Sequence, residues 1–518
     1  AGADLNHFNS RQTQNRFIGN AFLQYNILPE LNIRAEAGAD FINSMSIYWT
    51  SDVIRYNRVG QETGRFLENY LGNLYANYNK DFGTNHSLSA TVGYEIQQTK
   101  QRRQDYAFEG LVGSQQEIGE IANGANQFIT AVAGILPDRG FTSIFGRANY
   151  KFKDRYLLGA SFRRDGSTAF GPNNRFGNFP AVSAGWIISN EDFAANSKIL
   201  GEFNLLKLRA SFGQTGNSNI PSFAFLSNYV NWPVYGQSPA LGFSVLANPN
   251  IGWEKNDQFD VAVDFALLKN RLRGTVGYFT RLSNDMLLNV PIAPTVGVGP
   301  GAQSVITNIG DLRNQGLEIE LGGLIVSSKN GRNGFSWNAD VNVSFVKNKV
   351  VDLTPQFKQL PTGAFPVATG IQSGVGITQI GGNLGTYYLA EYAGLDNEGF
   401  ETIWEIDANI LRQTGKTVKT GNRIRATQTN INNNRIVHEG KNGLPTWFGG
   451  LTNNFSYKGF ELSVLFTFQG GNYIYDGLEE NTVYVRTGSN VIRADVWNNT
   501  WTAGKQDAKY PKLTWNLR

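Results

Sequence analysis

Few residues in this chain have the types and spacing that chemistry requires. His438-Glu439-Gly440-Lys441-Asn442 begins like a zinc-protease helix, but asparagine stands where the second histidine ligand must be, so it reads as a solvated loop. Gly415-Lys416-Thr417 has the ending of a phosphate loop, yet Ile410 occupies the position of the required first glycine. Asp396-Asn397-Glu398-Gly399 offers the oxygen ligands calcium prefers without the spacing of a calcium loop, and a hairpin turn within Leu395–Phe400 is the better reading. Gly297-Val298-Gly299-Pro300-Gly301 follows no dinucleotide fingerprint. No cofactor or metal is therefore expected; calcium could be bound by the Asp396 and Glu398 oxygens, but the spacing does not support it. With 3 His and 0 Cys, a clustered nucleophile, base and orienter are not in evidence, so no enzymatic activity is expected.

What remains is a chemistry of binding. Trp49, Trp232, Tyr235, Tyr387, Tyr388, Trp404 and Trp447 fall outside the alternating segments or at their ends. A ring face stacks on a sugar or grips a peptide side chain, burying much area at little rotamer cost. Each ring alone is better explained by loop packing or by an interfacial girdle; as a set they are the candidate substrate contacts. Asp260, Asp264, Glu318, Glu320, Asp340 and Glu461 alternate with apolar residues, so they are expected to face a wet lumen rather than lipid.

The elements that must position these residues are strands. His86-Leu88-Ala90-Val92-Tyr94-Ile96, Phe259 to Phe265, Leu317 to Leu321, Trp337 to Phe345 and Phe460 to Phe468 each carry mostly apolar residues at every second position with mostly polar ones between, Ala262 and Leu465 being the exceptions. Successive strand side chains point to opposite faces, giving one apolar and one wet face. Leu28-Pro29-Glu30, Lys153-Asp154-Arg155, Lys269-Asn270-Arg271, Lys329-Asn330-Gly331 and Tyr457-Lys458-Gly459 supply tight turns between such segments. Opposite ends are joined by long polar stretches, expected as loops over 41–67, 97–140, 165–178, 214–253, 287–312, 347–384 and 401–446. About 16 strands are expected on this pattern. Tyr25, Tyr78, Phe82, Tyr150, Phe152, Tyr156 and Tyr457 sit beside the short turns, as an interfacial aromatic girdle would.

Composition agrees. The 518 residues carry 46 Lys+Arg against 42 Asp+Glu, a net charge of +4, which gives no support to a nucleic-acid partner. A mean hydropathy of -0.30 and the lack of a long apolar run exclude a helical membrane protein but not a β-barrel, whose alternation averages to hydrophilic.

One stretch is distinctive: Arg163-Arg164-Asp165-Gly166-Ser167-Thr168-Ala169-Phe170-Gly171-Pro172-Asn173-Asn174-Arg175-Phe176-Gly177-Asn178-Phe179-Pro180, continuing to Ala184-Gly185-Trp186. It resembles the barrel signature of SusC/RagA-like TonB-dependent transporters of the Bacteroidetes outer membrane. Leu208 to Asn217, Trp253-Glu254-Lys255 through Asp264, Asn308-Ile309-Gly310-Asp311 through Glu318, Asn348-Lys349-Val350 and Gly449-Gly450-Leu451 with Tyr457 to Phe460 are similar to further signatures in the family's order. The resemblance runs from about residue 140 to the C-terminus, and 1–139 fits by pattern.

The resemblance implies an all-β, large antiparallel transmembrane barrel of 22 strands in the full family fold, closed by an N-terminal plug. It implies active import of oligosaccharides or oligopeptides, a SusD-like surface lipoprotein as lid, energy from the TonB complex through the plug, a multi-pass place among outer-membrane lipid, and a homodimer of the barrel–lid pair. The alternative is a passive porin or a structural or adhesive barrel. Residues 1–518 are expected to form the barrel with its extracellular loops. Plug motif, TonB box and last strands are not visible in it, so a longer polypeptide is expected.

Overall fold

The computed structural model describes residues 8–50, 59–109, 130–235, 238–291, 304–327, 334–353, 358, 368–483 and 492–513. The chain divides into two compact units. The first comprises Ala1–Glu191, Arg209–Asn256 and Leu287–Asn308; the second comprises Asp192–Leu208, Asp257–Met286 and Ile309–Arg518.

In the first unit, β1 (Phe8–Leu28), β2 (Leu31–Thr50), β3 (Val59–Phe82), β4 (His86–Glu109), β5 (Thr130–Phe152), β6 (Tyr156–Ser167) and β7 (Phe176–Ile187) lie side by side in chain order, with each pair antiparallel. β8 (Phe203–Asn217) contributes residues 209–217 to this unit. The pairings Leu28↔Leu31, Phe82↔His86 and Phe152↔Tyr156 mark tight turns. Lys153 and Asp154 take φ of 50° and 51° there, a conformation Asp tolerates better than most. One face is a ladder of polar contacts. Asn77 donates to Asn32 at 3.0 Å, Thr91 to Asn77 at 2.9 Å, Thr99 to Asn69 at 2.8 Å and Thr63 to Asp105 at 2.8 Å. On the other face Val92, Tyr94 and Ile96 stand exposed.

Two of the expected loops are largely strand. β2 reaches Thr50 and β3 starts at Val59, while β4 reaches Glu109 and β5 starts at Thr130, so 41–67 and 97–140 mostly extend the ladder. These strands run to 20–24 residues, whereas about 9–11 suffice to cross a bilayer. Beyond the lipid, neither face needs to be apolar. Alternation therefore disappears from the sequence while backbone pairing continues. The expected loops 214–253 and 287–312 likewise hold short hairpins, Asn228–Tyr235 with Ser238–Val245 and Leu287–Pro291 with Ser304–Asn308.

In the second unit, β9 (Glu254–Leu267, of which 257–267 belong here), β10 (Leu272–Asn284), β11 (Asp311–Val326), β12 (Ser336–Asp352), β13 (Trp447–Tyr457) and β14 (Phe460–Gly470) follow in order. Leu268, Lys269 and Asn270 turn β9 into β10, and Lys458 with Gly459 turns β13 into β14, all with positive φ. Lys329-Asn330-Gly331 lies outside the described residues.

The stretch between β12 and β13 is a small folded body from residue 368 onward, not open loop. Ile371–Ser373, Gly376–Thr378, Thr386–Ala390 and Arg435–Val437 form one sheet; Tyr392–Leu395, Glu401–Ile406 and Lys419–Arg425 form another. α1 (Ala408–Thr414) starts where Asp407 accepts from the N–H groups of Asn409 and Ile410 at 2.8 and 3.0 Å, and it stops at Gly415, whose φ is 70°. Ala368, Ile377, Tyr388, Ile406, Leu411 and Ile436 make its core. These segments were unreadable as strands because each holds only three to seven residues, too few for a period to show.

Candidate functional site

Four of the separate sequence signatures meet at one node in the first unit. Phe170 is 0% exposed, with its ring 5.0 Å from that of Trp253, which is itself 5.4 Å from Phe179. The Trp253 indole N–H donates to the Arg175 carbonyl at 3.2 Å. Asn174 donates to the Asn250 carbonyl at 2.9 Å. Asn308 closes a reciprocal pair on Gly252, accepting from its N–H at 2.8 Å and donating to its carbonyl at 2.9 Å. A Cβ on Gly216 would collide with the Phe179 and Trp253 rings, which is why glycine stands there. Segments far apart in sequence are thus pinned by buried rings and side-chain amides, so these motifs carry architecture.

Beside the node, Arg163 is held from three sides. Its guanidinium donates to Asp165 at 2.6 Å, to the Ser143 hydroxyl at 2.6 Å and to Glu95 at 3.1 Å. Ser143 and Asp165 are buried. Sequence reasoning marked Arg163 and Asp165 only as motif letters and missed Ser143 altogether. The signal for Ser143 is register: it lies opposite both Glu95 and Asp165.

The predicted aromatic contacts lie in both units. Trp49 lies in β2, and Trp232 and Tyr235 lie in Asn228–Tyr235, but their side chains are outside the described residues. Tyr387, Tyr388 and Trp404 share the small body between β12 and β13. Tyr388 departs from expectation: it is 2% exposed in the core, with the Ala368 N–H donating to its hydroxyl at 3.2 Å, so it has no free ring face. Burial pushes its phenol pKa above the ordinary value. Trp404 packs half-buried on the same core with Lys419 5.6 Å over its ring. Tyr387 is half-buried and donates to the Tyr473 carbonyl at 2.9 Å. Trp447 opens β13, 39% exposed, with its ring 6.0 Å from Phe468.

The predicted acids do share a face. Register sets Glu320 opposite Thr275 and Asn342, and Thr275 donates to Asp264 at 3.1 Å. Asp340 takes Arg273 at 2.7 Å, and Gln258 donates to Asp260 at 2.9 Å. Glu318 lies opposite Ser344; Glu461 lies opposite Ser456, whose hydroxyl meets that of Ser336 at 2.7 Å. Leu317 and Leu321 emerge on the other side.

Three of the weak motifs resolve into structure, while Gly297-Val298-Gly299-Pro300-Gly301 lies outside the described residues. The expected hairpin is present: Asp396 accepts from the N–H groups of Glu398 and Phe400, both at 2.9 Å, and from Arg425 at 2.7 Å. Burial raises the Asp396 pKa, but these bonds outweigh it and hold the carboxyl below its ordinary value. Glu398 also holds Arg425, at 2.8 Å. Gly399, at φ 82°, leaves room for Trp501, whose ring lies against its Cα. Gly415-Lys416-Thr417 follows a helix instead of preceding one, the reverse of a phosphate loop. His438 Nε2 is 3.3 Å from the Leu389 carbonyl. Among the described residues no group of three or more His, Cys, Asp or Glu is placed to hold a metal.

Residues 2–489 match the family model described as "TonB dependent receptor-like, beta-barrel". The chain belongs to that family. It is 27% identical over 541 residues to "TonB-dependent receptor P39" of Formosa agariphila, covering 99% of this chain and 50% of that protein. It is 30% identical over 368 residues to "TonB-dependent receptor SusC" of Bacteroides thetaiotaomicron, covering 67% of this chain and 34% of that one. Among solved structures, "Structure of the RagAB peptide transporter" superposes with a TM-score of 0.79 at 22% identity, over 99% of this chain and 54% of that chain, which establishes the shared fold. The chain spans about half the length of the relative it matches throughout. It is a Bacteroidetes-type outer-membrane β-barrel protein, from a family of receptors and transporters rather than enzymes.

Proposed function

We infer that this chain is the barrel part of an active importer, carrying oligosaccharides or oligopeptides across the outer membrane with a SusD-like lipoprotein over its mouth and the TonB complex as energy source. The family membership carries the reading. It is supported by the relative named SusC and by strands whose two faces differ: acids on one, leucines on the other. Facing lipid, Glu320 or Asp264 would be costly; lining a wet lumen they are solvated and help conduct a polar cargo. Trp447, Trp404 and Tyr387, with Trp49, Trp232 and Tyr235, are the proposed cargo contacts at the loop ends. The chemistry is binding and release alone, without a catalytic centre.

The test is affinity purification of the native full-length protein, followed by mass spectrometry of what accompanies it, alongside uptake of labelled oligosaccharides and peptides by cells with and without the gene. A co-purifying lipoprotein and uptake that stops when the proton gradient is dissipated are expected. Gradient-independent leakage of small solutes with no bound partner would instead identify a porin.

A further inference from the structure

The folded body between β12 and β13 holds a cleft of 870 Å³, within the usual ligand-site range of about 300–1,000 Å³. Its floor is the glycine turn over residues 379–383, tied to the end of β12: Gly381 N–H donates to the Val350 carbonyl and Val350 N–H to the Gly382 carbonyl, both at 2.9 Å. Its opposite wall is the segment after α1, fixed where the Val437 N–H donates to the Thr417 hydroxyl at 3.0 Å.

Three features of the lining select a ligand. Ile380 and Val418 are 47% and 41% exposed, so apolar surface waits to be covered. Lys416 and Glu439 are exposed, and neither makes an ion pair among the described residues, whereas the cleft's other lysine, Lys358, is neutralised by Asp352 at 2.7 Å. Among the described residues no aromatic ring lines the cleft, so the described lining offers charge and aliphatic surface rather than the stacking face that grips a neutral sugar. Free charge of both signs beside aliphatic side chains complements a molecule with an acidic group, a basic group and short aliphatic side chains between them.

We propose that this cleft is a binding site for a zwitterionic oligopeptide, with Lys416 taking a carboxylate, Glu439 an ammonium, and Ile380 and Val418 an aliphatic side chain. This rests on the import reading and names a substrate class within it. Because the floor is bonded to β12, a ligand here would rest on a turn hydrogen-bonded to a strand of the main sheet.

The experiment is calorimetry on the full-length protein in detergent with three probes: the pentapeptide KAVAE, its uncharged N-acetylated, C-amidated relative AAVAA, and maltopentaose. KAVAE is expected to bind best. K416E and E439K should each weaken it roughly fivefold, the scale of one exposed ion pair, while leaving AAVAA unchanged. I380D should weaken both peptides. No KAVAE binding, KAVAE binding indifferent to K416E and E439K, or maltopentaose binding abolished by I380D would each overturn the assignment. If purified protein shows the expected pattern while cells fail to take up labelled KAVAE, the import reading falls and the site stands.

Discussion

Truncating Trp253 to alanine tests the claim that the signature motifs are architecture. Trp253 is 7% exposed, touches the rings of Phe170, Phe179 and Phe141, and donates to the Arg175 carbonyl. Losing a buried tryptophan costs about 3–5 kcal/mol through transfer and cavity terms, and an orphaned carbonyl adds about 1 kcal/mol. The cluster pins segments between strands, so the loss should appear as local opening. At about 1.4 kcal/mol per decade, protection of the 168–175 backbone from hydrogen exchange should fall by about three to four powers of ten. The assay is exchange with mass spectrometry on the full-length protein in detergent, with peptides from 168–175, 217–226 and 246–253 read separately. Trp253→Phe keeps the ring contacts and loses the indole bond, so it should fall between wild type and alanine. Trp447→Ala, at a half-exposed ring, is the control. If W253A changes exchange no more than W447A, or changes all strands equally, the node does not do what its geometry says.

Two further outcomes follow from other parts of the molecule. Asp495 is held well below the ordinary carboxylate range by Arg493 and then by the Tyr510 hydroxyl, at 2.8 and 2.9 Å, so its stabilisation is present above the unfolded value of about 3.9 and is lost only as pH falls below that. Fluorescence of Trp497 and Trp501 should therefore stay constant from neutral pH to about 5 and change in more acid solution, and D495N should abolish that step. On the main sheet, Leu317→Arg places a cation on the apolar face and should destabilise the membrane-inserted protein by up to about 2–4 kcal/mol, least near an interface, in urea titrations from lipid vesicles. The neighbouring Glu318→Arg on the polar face should be near neutral, and the reverse ranking would invert the assignment of faces.

Alternation and order of motifs determined much of this protein before any coordinates. Leu317-Glu318-Ile319-Glu320-Leu321 can only be a strand with one wet face, because a period of two maps charge and carbon to opposite sides of a pleat. The turns at Lys153-Asp154 and Lys458-Gly459 were legible for an equally local reason: few residues tolerate positive φ. Tertiary structure decided what local rules do not reach. Where β2 to β5 outrun the lipid, backbone pairing persists without alternation, so the strands looked like loops. Tyr387 and Tyr388 are adjacent and chemically identical, yet one is half-buried at a carbonyl and the other sealed in a core, a difference set by which side of a short strand meets the packed helix. Phe170, Trp253 and Asn308 were recognised as letters of separate motifs. Only the long-range register that brings their segments together shows that they are one object.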